Sequence, residues 1–288
     1  MIVSYKNKFI FFKPLKTAGT SVEAALSNFC GENDIFTGSV ILSEILDKRY
    51  DMSPRNNYRE AKIISGDEAR KYLERHGRVD LLNSGFNKFQ IVDDPIYHEH
   101  TSPIMFDFTD ETAKFTKVSM VRNPYDMMVS YFWWTYNSPI DDVISFNRSL
   151  QIKKKGHQQL ANYAPKLNDS IKTLKYKFEA WIDLPAWLSD GPKPSHGESI
   201  SYWFSDWSNE FFNYDDIDFY IRFENIEKDY KTLCELLNKE SNELPQFKNK
   251  IRKTAFHYED YYTPAAKKVV QSLFSKTIDK FDYSFNLL

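Results

Sequence analysis

A lysine followed by hydroxyl residues stands between a predicted strand and a predicted helix near the start of the chain. Residues 9–21 read FIFFKPLKTAGTS. A tight turn at Gly19 leading into a helix would present unpaired N–H groups and the positive end of the helix dipole. Lys16 would add a full positive charge. Three hydroxyl side chains would add donors: Thr17, Thr20 and Ser21. The segment predicts an anion site, with a plain strand–turn–helix and a solvated lysine as the alternative.

The P-loop of ATP- and GTP-hydrolysing enzymes does not fit this segment. That loop needs G-x-x-x-x-G-K-[ST], in which the lysine follows the glycines. Here Lys16 precedes Gly19, and neither Gly-Lys-Ser nor Gly-Lys-Thr occurs in the chain. A nucleoside triphosphatase is therefore disfavoured.

An arginine and a serine eight residues apart form a second candidate anion site. Residues 118–131 read VSMVRNPYDMMVSY. Arg122 ends a predicted strand, at the edge where open α/β sheets bind ligands, and its guanidinium can hold a phosphate with two hydrogen bonds. Ser130 would lie about two turns into the helix that begins at Pro124. An arginine paired with a surface carboxylate is the alternative, and this segment alone favours that alternative.

The elements that must position these residues alternate between strands and helices. Strand patterns are predicted at 8–12, 115–122 and 218–223, and a helical pattern follows each of them. Asn123 suits the N-cap of the second helix, and Asp126 occupies its third position, as in a capping box. A last helix is predicted from Pro264 through Ile278. The alternation predicts an α/β fold with a central, mostly parallel sheet flanked by helices.

Two stretches, 38–90 and 137–215, do not follow the alternation. Neither has a complete core pattern of its own, so we expect a single domain, 1–288, in which both are cap or substrate insertions. All six tryptophans fall between Trp133 and Trp207, which predicts a helical, tryptophan-rich cap. A run of three lysines at 153–155 could meet an acidic glycan, although such runs are usually solvated.

The composition excludes several classes of protein. The 38 Lys+Arg residues nearly balance 40 Asp+Glu residues, which disfavours bulk binding to nucleic acid or to an anionic membrane. The apolar runs are too short to span a bilayer. Two cysteines, Cys30 and Cys234, exclude a disulfide scaffold and favour a reducing compartment. We therefore expect a soluble, cytoplasmic protein.

The two anion segments, in this order, resemble the PAPS-dependent sulfotransferases, where PAPS is 3′-phosphoadenosine 5′-phosphosulfate. The resemblance implies that Lys16, Thr17, Ala18, Gly19, Thr20 and Ser21 hold the 5′-phosphosulfate. It also implies that Arg122 and Ser130, in the segment with Asn123 and Pro124, hold the 3′-phosphate. The tail segments at 218–230, 249–264 and 281–285 look similar to the family as well.

The resemblance implies a P-loop-like, three-layer fold, PAPS as co-substrate and no metal ion. Arg252 and Lys253 match a basic position that closes over the nucleotide in relatives, although a solvated basic turn explains them nearly as well.

Two departures from the family pattern stand out. Leu15 separates Pro14 from Lys16, and Met127 replaces a common arginine, so the entry angle of the loop and one ion pair differ from the family pattern.

Residues 97–101, YHEHT, are similar to the Tyr-His-x-His segment of the heparan sulfate 2-O-sulfotransferases, where histidines serve at the active centre. On an extended segment His98 and His100 would share a face, and an imidazole suits a base that takes a proton from a sugar hydroxyl. We expect His100, rather than His98, to be the base. Ordinary packing and a metal pair are the alternatives, the second lacking a third ligand at suitable spacing.

The acceptor implied by this branch of the family is a carbohydrate, and tryptophan side chains could stack on its rings. A protein tyrosine, a lipid or a small molecule remains open, as does the oligomeric state. The lack of a membrane anchor sets the sequence apart from Golgi relatives and suggests a bacterial or viral setting. The rival classes are a non-catalytic glycan-binding protein on a degenerate sulfotransferase fold and a kinase-like phosphotransferase.

Overall fold

The computed structural model describes ten segments of the chain. They are residues 1–37, 55–57, 61–67, 71, 88–92, 96–136, 162–166, 168–184, 199–245 and 256–285. The described residues fall into two compact units. Unit 1 comprises Met1–Met120 and Asp216–Phe247, and unit 2 comprises Val121–Asp215 and Lys248–Leu288. The prediction of one domain with two insertions stays a prediction.

Seven strands are described, five of them in a central sheet. The strands are β1 (Ile2–Ser4), β2 (Phe9–Phe11), β3 (Ile35–Phe36), β4 (Ala61–Ser65), β5 (Lys88–Val92), β6 (Thr116–Val121) and β7 (Phe219–Arg222). The central sheet has the order β3-β1-β2-β6-β7. β1 pairs antiparallel with both β2 and β3, whereas β2 pairs parallel with β6. β4 and β5 form a separate antiparallel pair.

The described residues also form seven α-helices. They are α1 (Gly19–Ser27), α2 (Pro124–Tyr136), α3 (Ile171–Ile182), α4 (Ile200–Phe212), α5 (Ile226–Leu236), α6 (Pro264–Leu273) and α7 (Ser275–Phe281). Capping side chains explain several of the helix starts. For α3, α4 and α6, the N-caps Ser170, Ser199 and Thr263 accept from a backbone N–H three residues later.

The α/β class is therefore confirmed, and the sheet is mixed rather than mostly parallel. β1 causes the difference, because it lies between β2 and β3 and runs antiparallel to both. The predicted strands at 8–12, 115–122 and 218–223 correspond to β2, β6 and β7. A helix follows each of these three strands, as the alternation predicts.

The prediction of one terminal helix through Ile278 was wrong, because the chain forms two helices. Phe274 leaves the helical region with φ −112° and ψ 19°, between α6 and α7. Its side chain is fully buried, so packing favours this bend. Neither glycine nor proline marks the position, and the sequence pattern therefore gave no stop signal.

The core of unit 1 is built on β2 and its neighbours. Phe9, Ile10, Phe11 and Phe12 are fully buried, as are Val118 and Met120 of β6. On α1, eight of the nine residues are buried, including Val22, Ala25 and Leu26 of the predicted apolar face. Burial on nearly all sides makes α1 an interior helix, so its first turn is held in a fixed position.

Unit 2 contains the predicted aromatic cluster. Trp133 and Trp181 are almost fully buried, and the Trp133 indole donates to the hydroxyl of Tyr261 at 3.1 Å. Tyr131 stacks on Phe204 with ring centroids 4.2 Å apart. These rings pack against one another in the core, which is the role expected of most tryptophans in an α/β protein.

Candidate active site

The loop between β2 and α1 folds through two left-handed residues. Lys16 has φ 63° and Ala18 has φ 66°, a region that costs non-glycine residues energy. The buried Thr17 side chain donates to the carbonyl of Pro14 at 3.1 Å, and Ser21 N–H donates to the carbonyl of Ala18 at 3.0 Å. Strain of this kind occurs at functional sites, where the surrounding structure holds it in place.

Gly19 is required here for space rather than for a left-handed turn. It is the first residue of α1, and the left-handed positions fall on its neighbours. A Cβ at Gly19 would lie 2.4 Å from Cγ of Lys13, closer than carbon atoms can approach. The expectation of a tight turn at Gly19 is corrected accordingly: the glycine lets α1 begin directly against the Lys13 side chain.

The start of α1 has the electrostatic character that an anion requires. Its first turn, which the structure describes in full, carries no acidic side chain. Lys16 and Thr20 are partly exposed beside that turn, whereas Thr17 and Ser21 are buried. The N–H groups of a first helical turn and the helix dipole attract negative charge. The loop predicted from the sequence is therefore formed around a helix N-terminus in unit 1.

Arg122 directly follows β6, as predicted, and pairs with Asp126 of α2. Asp126 Oδ2 accepts from Arg122 Nε at 2.9 Å and from Nη2 at 2.6 Å. The alternative to an anion site was that Arg122 pairs with a carboxylate, and Asp126 is such a carboxylate. From Asn123 to Ser130, only Asp126 and Ser130 are partly exposed. Because Asp126 and Ser130 are four residues apart, they lie on one face of α2, the face that begins beneath Arg122.

Asn123 caps α2, as the sequence predicts. Its side-chain oxygen accepts from the N–H of Tyr125 at 3.1 Å. Its amide donates to the main-chain oxygen of Ser284 at 3.0 Å and, more weakly, to the hydroxyl of Tyr258 at 3.4 Å. This capping residue therefore ties the start of α2 to the tail of unit 2. Met127 is fully buried, so the usual family arginine could not fit there without repacking.

The segment with the two histidines is a turn rather than an extended strand. Thr101 N–H donates to the carbonyl of His98 at 3.1 Å, and His98 N–H donates to the hydroxyl of Thr101 at 2.8 Å. His98 is exposed, whereas His100 is partly buried. The argument that an extended segment places both rings on one face therefore fails, and only His100 is enclosed by the protein.

The ring of His100 is held by the backbone of the chain segment that enters the loop. Its Nδ1 lies 2.7 Å from the main-chain oxygen of Lys13. Burial lowers the pKa of His100 to about 4, with the positive charge of Lys13 acting in the same direction and Glu99 opposing it. The imidazole is therefore neutral at physiological pH and can accept a proton, but a pKa of about 4 makes it a weaker base than a histidine with the ordinary pKa.

Lys13 is the residue that the sequence analysis did not identify. It is 1% exposed, and its ammonium contacts Glu23 at 2.5 Å and also contacts Glu99. Burial alone lowers the pKa of Lys13, but the two carboxylates outweigh burial and raise it overall. A lysine directly after four buried apolar residues, and Glu23 inside the apolar pattern of α1, were the available signals.

Several predicted residues lie outside the described residues. These are Arg252, Lys253, the three lysines at 153–155 and Trp187. Lys16, Thr17, Ala18, Gly19, Thr20, Ser21, His98 and His100 lie in unit 1, and Arg122 and Ser130 lie in unit 2.

Within the described part of the chain, no group of three or more His, Cys, Asp or Glu side chains is placed to hold a metal ion. No helix in those segments is long and apolar enough to cross a membrane. Both cysteines are free.

The comparison with protein-family models matches residues 1–284 to the Sulfotransferase family. The match covers nearly all of the chain, so this protein belongs to the sulfotransferase family. The comparisons with curated proteins and with solved structures gave no match.

Proposed function

We propose that this protein transfers a sulfuryl group from PAPS to a hydroxyl group of a carbohydrate. The observation that carries the proposal is the loop of residues 16–21, which is folded through two left-handed residues onto the N-terminus of α1. A strained loop at a helix N-terminus, in a chain of the sulfotransferase family, fits a phosphosulfate group.

Donor binding is assigned to two sets of residues. In unit 1, Lys16 and the backbone of the loop bind the 5′-phosphosulfate, with Thr17, Ala18, Gly19, Thr20 and Ser21 forming the rest of that set. In unit 2, Arg122 and Ser130 bind the 3′-phosphate. Arg252 and Lys253 complete the proposal as the basic pair that closes over the nucleotide.

Two observations support the proposal that Arg122 and Ser130 bind the 3′-phosphate: the contacts of Asp126 and the burial of the residues around it. Asp126 holds two of the five guanidinium N–H groups of Arg122, which fixes the direction of the guanidinium. Ser130 is partly exposed and lies one turn after Asp126 on the same face of α2, which supports its assignment beside Arg122. A charged donor and a hydroxyl donor on one face suit a phosphate.

The donor, when bound, supplies an activated sulfuryl group joined to the 5′-phosphate through an oxygen. His100 accepts the proton of the acceptor hydroxyl as the new O–S bond forms. The S–O bond to the phosphate breaks, and Lys16 neutralises the charge that develops on the phosphate oxygen. Positioning and electrostatic stabilisation supply most of the rate in group transfers of this kind.

The carbohydrate acceptor is proposed from the resemblance of residues 97–101 to the heparan sulfate 2-O-sulfotransferases. The neutral, partly buried ring of His100 supports the role of a base for a sugar hydroxyl. His98, which is exposed, is assigned to the acceptor side, where it orients substrate.

The test is transfer of label from ³⁵S-labelled PAPS to a panel of glycans, tyrosine peptides and phenols. We expect labelled glycan with wild-type protein, and a loss of roughly 10²–10³ in kcat for Lys16→Ala. Lys8→Ala is the matched control, because Lys8 forms an exposed ion pair with Glu111. A chelator should leave the rate unchanged.

No labelled acceptor, together with retained glycan binding, would favour the non-catalytic alternative. Activity that a chelator removes and a divalent ion restores would favour the kinase-like phosphotransferase.

A further inference from the structure

A buried lysine outside the proposed chemistry joins three elements of unit 1. The ammonium of Lys13 contacts Glu23 of α1 at 2.5 Å. It also contacts Glu99 of the turn formed by residues 98–101, called the histidine turn below. Its main-chain oxygen lies 2.7 Å from Nδ1 of His100. The histidine turn is therefore attached to Lys13 at two points, one on the side chain and one on the backbone.

The contact between His100 and Lys13 determines which ring nitrogen carries the proton. A carbonyl oxygen only accepts hydrogen bonds, so Nδ1 of His100 must donate to it. In a neutral imidazole the other nitrogen, Nε2, then holds the lone pair. Nε2 is thus the only ring atom of His100 that can accept a proton.

Lys13 also lies against the first residue of α1, the helix that follows the proposed donor loop of residues 16–21. Gly19 approaches the Lys13 side chain so closely that a Cβ would lie 2.4 Å from Lys13 Cγ. Lys16 follows Lys13 by three residues. The same buried side chain therefore lies against the first residue of α1 and between the carboxylates of α1 and of the histidine turn.

We infer that Lys13, held by Glu23 and Glu99, is a positioning residue that presents Nε2 of His100 as the proton acceptor and aligns it with the loop that carries Lys16. The inference rests on the proposed function, since it assigns a purpose to the base of that reaction. Glu99 is the member of this group that can be tested most safely. The side chain of Glu99 is 36% exposed, whereas Glu23 is fully buried between Lys13 and the α-amino group of Met1. A substitution of Lys13 would disrupt the buried ion pairs of both carboxylates.

The experiment compares wild type, Glu99→Gln and the matched control Glu111→Gln. Glu111 forms an exposed ion pair with Lys8 in the same unit, so its substitution also removes one carboxylate that pairs with a lysine. Two-bond ¹⁵N–¹H spectra of the histidine rings report the tautomer of His100. Turnover with labelled PAPS reports kcat, and calorimetry with adenosine 3′,5′-bisphosphate reports nucleotide affinity.

We expect a wild-type His100 that is protonated at Nδ1. Glu99→Gln should give a mixture of tautomers and lower kcat roughly 10-fold to 100-fold, the size of effect that follows the loss of a group that orients a metal-bound histidine. Its nucleotide affinity should equal that of wild type, and Glu111→Gln should change none of the three readouts.

A wild-type ring protonated at Nε2 would overturn the inference. So would Glu99→Gln with an unchanged tautomer, with an unchanged kcat, or with a loss confined to nucleotide affinity. The spectra do not depend on turnover. If wild-type protein transferred no label, the proposed function would fail while the tautomer of His100 would still be measured, so the two failures are distinguishable.

Discussion

Arg122 donates through Nε and Nη2 to a single oxygen of Asp126, one helical turn further along the chain, at 2.9 and 2.6 Å. The two side chains are only 11% and 13% exposed. Because both donors meet the same oxygen, the carboxylate fixes the direction of the guanidinium plane. The pair is thus part of the architecture of unit 2, and the question is whether Arg122 also binds a phosphate.

Substitution of each partner separates the two roles of Arg122. Arg122→Ala and Asp126→Ala both remove the ion pair, so both should lower stability to a similar extent. Arg122→Ala should weaken the binding of adenosine 3′,5′-bisphosphate by about 1.5–3 kcal/mol and Asp126→Ala should weaken it less, because only Arg122→Ala removes a charged donor to the phosphate. Calorimetry gives the affinities and urea unfolding gives the stabilities. Equal affinity in wild type and Arg122→Ala would remove Arg122 from the site.

The pKa of His100 sets the pH dependence of the reaction. Burial lowers this pKa to about 4, in surroundings whose charged groups are Glu99, Lys13 and the α-amino group of Met1. The base is neutral above that value, so kcat should stay level from pH 8 down to about pH 5 rather than fall near the ordinary histidine pKa of about 6.5. His100→Ala should lower kcat by roughly 10²–10⁴, with His98→Ala as the milder control.

The same shift has a consequence for stability. The folded pKa of His100 lies below its unfolded value of 6.5, so the folded state resists protonation. Stability should therefore be complete above pH 6.5 and decline as the pH falls towards 4. His100→Ala should flatten this part of the stability profile. A rate that falls with a midpoint near pH 6.5 would contradict the pKa assigned to His100.

Lys13 should be far more important for stability than an exposed lysine. Lys13→Met removes the lysine partner of Glu99 and leaves Glu23 with the α-amino group of Met1 alone, and breaking a buried ion pair typically costs about 3–5 kcal/mol. Lys8→Met breaks an exposed ion pair with Glu111 and should cost about 0–1 kcal/mol. Urea unfolding of the two variants checks this difference. Similar losses in both would mean that the buried contacts of Lys13 add little.

Gly19→Ala tests the close approach of α1 to Lys13. The added methyl group would lie 2.4 Å from Lys13 Cγ, inside a side chain held at its far end by two carboxylates. We expect a loss of about 1–3 kcal/mol, as for other overpacked sites. Gly31→Ala is the control, because there the nearest atom is Cδ of the exposed Lys6, at 3.1 Å. Thermal unfolding that shows equal losses would contradict the account of Gly19.

The pattern of the sequence predicted the elements that carry the candidate site. The alternation of apolar runs and helical spacing located β2, α1, β6 and α2, because local propensity and burial agree in these segments. Asn123 caps α2 as predicted, since its cap depends only on neighbouring backbone groups. The alternation did not reveal the mixed sheet, because the antiparallel strand β1 has only three residues and was not among the predicted strands.

The buried network around Lys13 could not be predicted from local patterns. Glu23 and Glu99 lie 10 and 86 residues from Lys13 along the chain, so only the tertiary fold brings the three together. The sequence suggested an extended segment for His98 and His100, where the Thr101 side chain closes a turn instead. The end of α6 at Phe274 depends on the burial of that side chain. No glycine or proline in the sequence marks this position as a helix end.

The central claim is that this protein binds a PAPS-type nucleotide, and a binding experiment without an acceptor tests it most directly. Calorimetry on wild-type protein should compare adenosine 3′,5′-bisphosphate with adenosine 5′-monophosphate and with ATP. We predict that the bisphosphate binds more tightly than the monophosphate by roughly 10-fold to 150-fold, the value of a charged hydrogen-bond contact to the 3′-phosphate. Equal affinity for the bisphosphate and the monophosphate, or tighter binding of ATP, would contradict the account.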